Sequence, residues 1–331
     1  MVRARRVPTL RARCRRSRVS TFLHHVELAA PLFVLVLAGY LLVAVGRWPK
    51  SVSDALSRFV FAAALPALLF RLMSDLSRLP PVDARLLIAF FGGCLLVFAL
   101  GRAVGALGFG LDGVQQSVFA LGGVFSNNVL LGVPLARLTL GDGALPAVAL
   151  VLVCNALVLW TLVTVSVEWA RHGELSLRGM GRTVRGVLTN PIVASILGGA
   201  LFGLFGLRLP GIVDQPLQMV GQAAAPLALL VLGMGLAEYG VRDGWRAGAA
   251  ITAIKLLVQP VVVWGLARVL GLPPMETQVV VLLASLAVGV NVYLMAREFD
   301  VLHGPVAASL VLSTALAALT TPLALTLVGA G

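Results

Sequence analysis

The chain has 331 residues, of which 59% are apolar and only 12% are charged. A soluble domain carries about 25% charged residues. Here apolar runs long enough to span a bilayer recur from Pro31 to the C-terminus, so the chain reads as a polytopic membrane protein and the soluble-enzyme classes fall away.

The net charge of +12 is concentrated at one end. Arg3, Arg5, Arg6, Arg11, Arg13, Arg15, Arg16 and Arg18 precede the first acid, Glu27, and setting those eight aside leaves +4. A basic tail over 1–25 could meet RNA, anionic lipid or a targeting receptor. The reading favoured here is upstream sequence ahead of a start near Val19, and no nucleic-acid partner is expected. Cys14, Cys94 and Cys154 form no C-x-x-C pair, and His24, His25, His172 and His303 lie outside the apolar cores. Neither a metal nor another cofactor is therefore expected.

Gly, Pro and charge divide the apolar sequence into ten expected segments: 26–46, 52–73, 84–107, 114–138, 144–169, 190–207, 213–238, 246–270, 276–297 and 305–328. The polar stretch 171–188 divides them five and five, giving a first repeat over 26–170 and a second over 189–331. Phe61–Leu69 aligns with Gly221–Leu229 at an offset of 160, which also relates Pro31 to Pro191; Asn128–Leu131 aligns with Asn291–Leu294 at an offset of 163. An odd number of helices per repeat makes the second copy enter from the opposite face. The expected fold is an all-α integral membrane protein of ten helices in two inverted five-helix repeats, an architecture of secondary transporters.

The fourth segment contains FSNNVLLGVPL, Phe125–Leu135. Pro134 cannot donate to the carbonyl of Leu130, and Gly132 leaves helical geometry at low cost. Together they are expected to break the helix, with the amides of Asn127 and Asn128 satisfying freed groups or meeting a solute. A kinked helix glued to its neighbour is the bland alternative. The ninth segment repeats the theme in VGVNVYLMA, with Gly289 and Asn291 at the corresponding point. Interrupted helices at matching positions of two halves point to a transport site.

Lys255, in AAITAIKLLVQPVVV, is the clear ionisable residue inside an apolar core. It must face the protein interior with a partner. Three roles compete: a structural charge bonded to carbonyls freed near Pro260, a substitute for a coupling cation, and attraction of an anionic substrate, with the first two ranked above the third. Asn155, Gln218 and Gln222 are expected to make interhelical hydrogen bonds; Gln222, one turn before Pro226, leans towards substrate.

The segments FVFAAALPALLF, SNNVLLGVPL, NPIVASILGG, AAAPLALLVLGMGL, IKLLVQPVV and VNVYLMAREF occur in this order. In this the chain resembles the auxin efflux carrier family from about Pro31 onward. The resemblance implies a scaffold of helices one, two, six and seven, a mobile transport domain in which the broken fourth and ninth helices cross, and homodimers. It also implies that Asn127, seven residues before Pro134, contacts a substrate carboxylate. Where the family usually has a proline in helix nine, this sequence has Ala287, leaving Gly289 to permit the break.

Arg171, Arg178, Arg182 and Arg185 in the 171–188 linker place it in the cytoplasm of a cell-membrane protein and the N-terminus outside. No ATP-binding loop, nucleophile elbow or H-E-x-x-H motif is present, so an enzyme is not expected. The leading expectation is a secondary carrier of a small organic anion. A transporter-like sensor and a sodium-coupled symporter are the alternatives, and a channel suits broken inverted repeats less well.

Overall fold

The computed structural model describes residues 10–74, 82–172, 189, 191–238 and 244–329, with backbone alone for 10–20, 156, 157 and 172. Helices run over α1 (Leu10–Ala44), α2 (Lys50–Met73), α3 (Arg85–Phe109), α4 (Gly113–Val124), α5 (Asn128–Leu140) and α6 (Leu145–His172). They continue with α7 (Pro191–Leu204), α8 (Gly211–Leu236), α9 (Trp245–Val269), α10 (Pro274–Ser285), α11 (Asn291–Glu298) and α12 (His303–Gly329). No strand occurs among the described residues. Seven of these helices, α1, α2, α3, α6, α8, α9 and α12, are each long and apolar enough to cross a bilayer. The expected sixth segment is the shorter α7, and the fourth and ninth are each divided in two. Backbone from Leu10 to 25 already belongs to α1, although the basic run was read as a separate tail. The rest of that tail and nearly all of the 171–188 linker lie outside the described residues.

Three prolines inside helices are each accommodated by a single widened turn. Val60–Ala64, Asn128–Gly132 and Ile254–Val258 are π-helical, and each is followed one residue later by a proline: Pro66, Pro134 and Pro260. Leu65, Val133 and Gln259, the residues before those prolines, donate five residues back, to the carbonyls of Val60, Asn128 and Ile254. The wider turn takes up the residue whose N–H is missing and keeps the helix continuous.

Glycines set how the helices meet. A methyl group at Gly39 would collide with the Leu230 carbonyl, and one at Gly233 with the Val36 carbonyl, so α1 and α8 touch backbone to backbone. On α7, Cβ atoms at Gly199 and Gly203 would lie 2.5 Å and 2.9 Å from the carbonyl oxygens of Phe70 and Met73 on α2. A Cβ at Gly221 of α8 would come within 3.1 Å of the Leu68 backbone. Close packing of this kind, rather than hydrophobic exclusion, holds helices together in lipid. It makes α1, α2, α7 and α8 one group. The second group packs α3 on α4 and α9, α10 on α9, and α12 on α9 and α10.

Polar caps finish several helix ends. Asp112 accepts from the amides of Val114 and Gln115 at 2.9 Å, while the Gln115 side chain accepts from the Asp112 amide at 3.1 Å, a capping box that starts α4. At the entry to α3, the Arg85 guanidinium hydrogen-bonds Asp83 and holds that carboxyl below the usual carboxylate range.

Gly233→Ala is expected to destabilise the detergent-solubilised protein by about 1–3 kcal/mol in denaturant unfolding, the cost of overpacking. Gly235→Ala, where a Cβ meets nothing within 4 Å, should leave the midpoint unchanged. Equal behaviour of the two variants would refute the backbone contact.

Candidate functional site

α4 stops at Val124 and α5 starts at Asn128; α10 stops at Ser285 and α11 starts at Asn291. The intervening stretches run past one another in opposite directions. The Gly289 amide donates to the Phe125 carbonyl at 2.8 Å and the Asn127 amide to the Ala287 carbonyl at 2.9 Å, forming an isolated antiparallel bridge of Ser126 with Val288. Each of these groups, unpaired at bilayer depth, would cost several kcal/mol. Neighbouring helices satisfy four further backbone groups. The Val124 carbonyl accepts from the Gln259 amide at 2.9 Å, Ala284 from the Lys255 ammonium at 2.5 Å and Ser285 from the Thr321 hydroxyl at 2.8 Å. The Val288 amide donates to the Ser313 hydroxyl at 2.9 Å.

The first interruption lies at 125–127, upstream of the residues expected to cause it. Gly132 is in the π-helical turn, and Pro134 is near the start of the α-helical turns after it. The wide turn accommodates the proline, while the chain leaves the helix where another backbone offers it partners. Ala287 sits inside the second interruption, which forms without a proline and is held by bonds to the Ala287 carbonyl and from the Val288 and Gly289 amides. Gly289 is required by proximity: a Cβ there would lie 3.0 Å from the Ser126 carbonyl oxygen and 3.0 Å from the Phe125 ring.

Beside the paired stretches is a cavity of about 290 Å³, lined by Phe61 of α2, Leu152 and Asn155 of α6, Ile192 and Val193 of α7, and 125–130 and 289–291 with Leu294. It contains Asn127, Asn128, Gly289 and Asn291, four of the five expected substrate residues. Gln222, the fifth, is exposed on α8 and does not line it. Lys255 is fully buried but does not line it either, and its partner is Ala284 rather than a carbonyl freed near Pro260.

The cavity wall has unused hydrogen-bonding capacity. Ser126 Oγ, Asn127 Nδ2, both side-chain polar atoms of Asn128, and Asn155 Oδ1 have no partner, although these residues are only 1%, 5%, 1% and 5% exposed. For Asn128 this holds whichever way the amide is turned. Buried polar groups are normally paired, so an unpaired set converging on one cavity is suited to a polar ligand. Among the described residues, no charged side chain lines the cavity, but α5 and α11 both begin at it, presenting the partial positive ends of two helices. A larger groove of about 650 Å³ among Ala63, Phe70, Ile212 and Pro216 is apolar and open, and offers no such set.

Asn155, expected to make interhelical hydrogen bonds, lines the cavity with Oδ1 unpartnered, and Ser126, Gln259, Ser313 and Thr321 hold places at the site that no expectation named. Asn155 stood out as an amide in an apolar run. The hydroxyls of α12 carried no signal, since Ser and Thr are common in membrane helices.

Residues 24–325 match the family described as "Membrane transport protein". The chain belongs to this family, that of the auxin efflux carriers its motifs resemble, and is a multi-pass membrane transporter. It is 27% identical over 296 residues to a "Putative malonate transporter" of Rhizobium meliloti, covering 88% of this chain and 92% of that protein. It is 26% identical over 309 residues to an "Uncharacterized transporter" of Methanothermobacter thermautotrophicus, covering 91% and 98% respectively.

Ser313→Ala strands the buried Val288 amide, and the expected loss of stability is about 1–3 kcal/mol. Ser309→Ala, whose hydroxyl only bonds back to Val306 on its own helix, is expected to change the unfolding midpoint far less. Comparable losses would mean that the Ser313 bond does not support the interruption.

Proposed function

We propose that the protein is a secondary carrier of a small organic anion, bound at the crossing of the two interrupted segments and moved by alternating access. The observation that carries this reading is the set of unpartnered polar atoms on Ser126, Asn127, Asn128 and Asn155, gathered in one cavity at the starts of α5 and α11. A carboxylate accepts from amide N–H groups and gains from helix N-termini. Asn127 and Asn128 with Asn291 and Gly289 are the proposed binding residues. Malonate enters as a candidate from the printed name of the Rhizobium meliloti relative.

Two inverted five-helix repeats are part of the proposal. The interruptions fall at corresponding places, and Asn128 and Asn291, aligned in sequence, each begin the helix that follows one. The packing of α1 on α8 has its counterpart in α7 on α2, as exchange of two inverted halves requires. The cavity lies between the glycine-packed group, through Phe61, Ile192 and Val193, and the crossing. Sliding one group against the other would carry the crossing with its ligand, an elevator-type movement.

The test is uptake of labelled malonate, malate and an aromatic monocarboxylate into liposomes holding the purified protein. Saturable uptake of at least one acid is expected. Asn127→Ala should weaken it ten- to a hundredfold, the equivalent of about 1.5–3 kcal/mol for a hydrogen bond to a charged group. Saturable binding without flux would make the protein a sensor, and unchanged flux in the variant would move the site elsewhere.

A further inference from the structure

α2 enters the membrane with a charged stripe. Lys50, Asp54 and Arg58 fall at successive helical turns, and Phe61, one turn further, lines the cavity; all four are exposed. Residues spaced by three and four share one face of a helix. The stripe begins beside the end of α11: Lys50 pairs with Glu238 at 2.9 Å, and Arg297 of α11 is near enough to act on it electrostatically. Arg171, where the 171–188 linker begins, bonds the Phe299 carbonyl just past α11 at 3.3 Å. The start of the stripe and the start of the linker therefore stand at the same end of the bundle.

Arg58 lies inside a membrane-spanning helix, about 12 Å of rise from Lys50. A guanidinium at that depth needs an ionic partner or water. Lys50 has Glu238, but among the described residues Arg58 has neither an ion pair nor a hydrogen bond, and Asp54, one turn away, is not its partner. Arg58 is therefore hydrated, and its water reaches from the linker end towards Phe61. The cavity beyond is lined by neutral polar atoms among the described residues. It offers an anion hydrogen bonds but no charged side chain to draw it in.

We propose that Arg58 is the capture residue for the anionic substrate. It draws a carboxylate from the linker side of the membrane to the mouth of the cavity, where the amides of Asn127 and Asn128 take it over. This rests on the carrier reading and adds a side and a selecting group to it. A charge outside a binding site sets the rate of arrival and its salt dependence more than the strength of holding. Capture by Arg58 and holding by neutral amides are then separate tasks.

Val290 lines the cavity and serves as the reporter. With Cys14, Cys94 and Cys154 replaced, Val290→Cys is labelled by two methanethiosulfonate reagents, one bearing a sulfonate and one a trimethylammonium group, each scaled to its rate with a free thiol in solution. In vesicles that expose the linker side, the sulfonate is expected to react faster. Arg58→Gln should lower the sulfonate-to-ammonium ratio about tenfold, and Arg58→Lys should keep it. Raising sodium chloride from about 10 mM to about 1 M should remove the preference. An unchanged ratio in Arg58→Gln overturns the proposal, as does labelling that only the opposite side admits. Should Arg58→Gln not yield folded protein, Arg58→Leu takes its place, and a parent preference that ignores salt is equally an overturning result. The reagents need no flux, so failure here leaves the carrier reading standing, and failure of that reading shows in the liposome assay.

Discussion

A polypeptide that leaves helical geometry inside hydrocarbon must find partners for every amide and carbonyl it frees, because lipid offers none. Here the chain leaves the helix twice, and each interruption supplies partners for the other through the bonds of Gly289 to Phe125 and of Asn127 to Ala287. The arrangement of the neighbouring helices follows from the groups left over. α9 brings Lys255 and Gln259 to two helix ends, and α12 brings Ser313 and Thr321 to the second interruption. These bonds bind α4, α9, α10 and α12 to the crossing, whereas α1, α2, α7 and α8 are held to one another through Gly39, Gly233, Gly199 and Gly203.

Many backbone groups at the crossing have partners, whereas polar side-chain atoms facing the cavity do not. Backbone and side-chain partners keep 124–128 and 284–289 in place, so the amides of Asn127, Asn128 and Asn155 are not consumed by the fold. A site in which structural hydrogen bonds come from one side and unused ones face the other can bind and release a solute without dismantling itself. Among the described residues its polar capacity is neutral, and under the proposed carrier reading this favours exchange: a fixed charge in the cavity would hold an anion more tightly and release it more slowly.

Much of the helical pattern could be read from the residues. The expected segments 84–107 and 213–238 correspond to α3 and α8, and Gly289 and Asn291 marked the second interruption. The first was assigned to the correct segment but to the wrong residues. Pro134 and Gly132 are the usual helix-weakening signals, yet a π-helical turn absorbs them, as it does at Pro66 and Pro260. The chain departs from the helix at Phe125, which carries no such signal, because the partner that stabilises the departure lies more than 160 residues away. Gln259, Ser313 and Thr321 were hidden for a related reason: their roles depend on which carbonyl or amide of another helix they meet. Gln222, a polar residue in a repeated apolar motif, also drew attention, but it is exposed on α8 and does not line the cavity.

Under the proposed carrier reading, the transported acid occupies the cavity beside the two interruptions. Val290 lines that cavity without carrying any of its polar contacts. With Cys14, Cys94 and Cys154 replaced, Val290→Cys can be labelled in membranes by a small thiol reagent in the presence of each candidate acid. The predicted result is that an acid supporting saturable flux slows labelling at the concentrations that saturate transport, while acids that are not carried have no effect. Labelling that proceeds at the same rate with a saturating transported acid would contradict it.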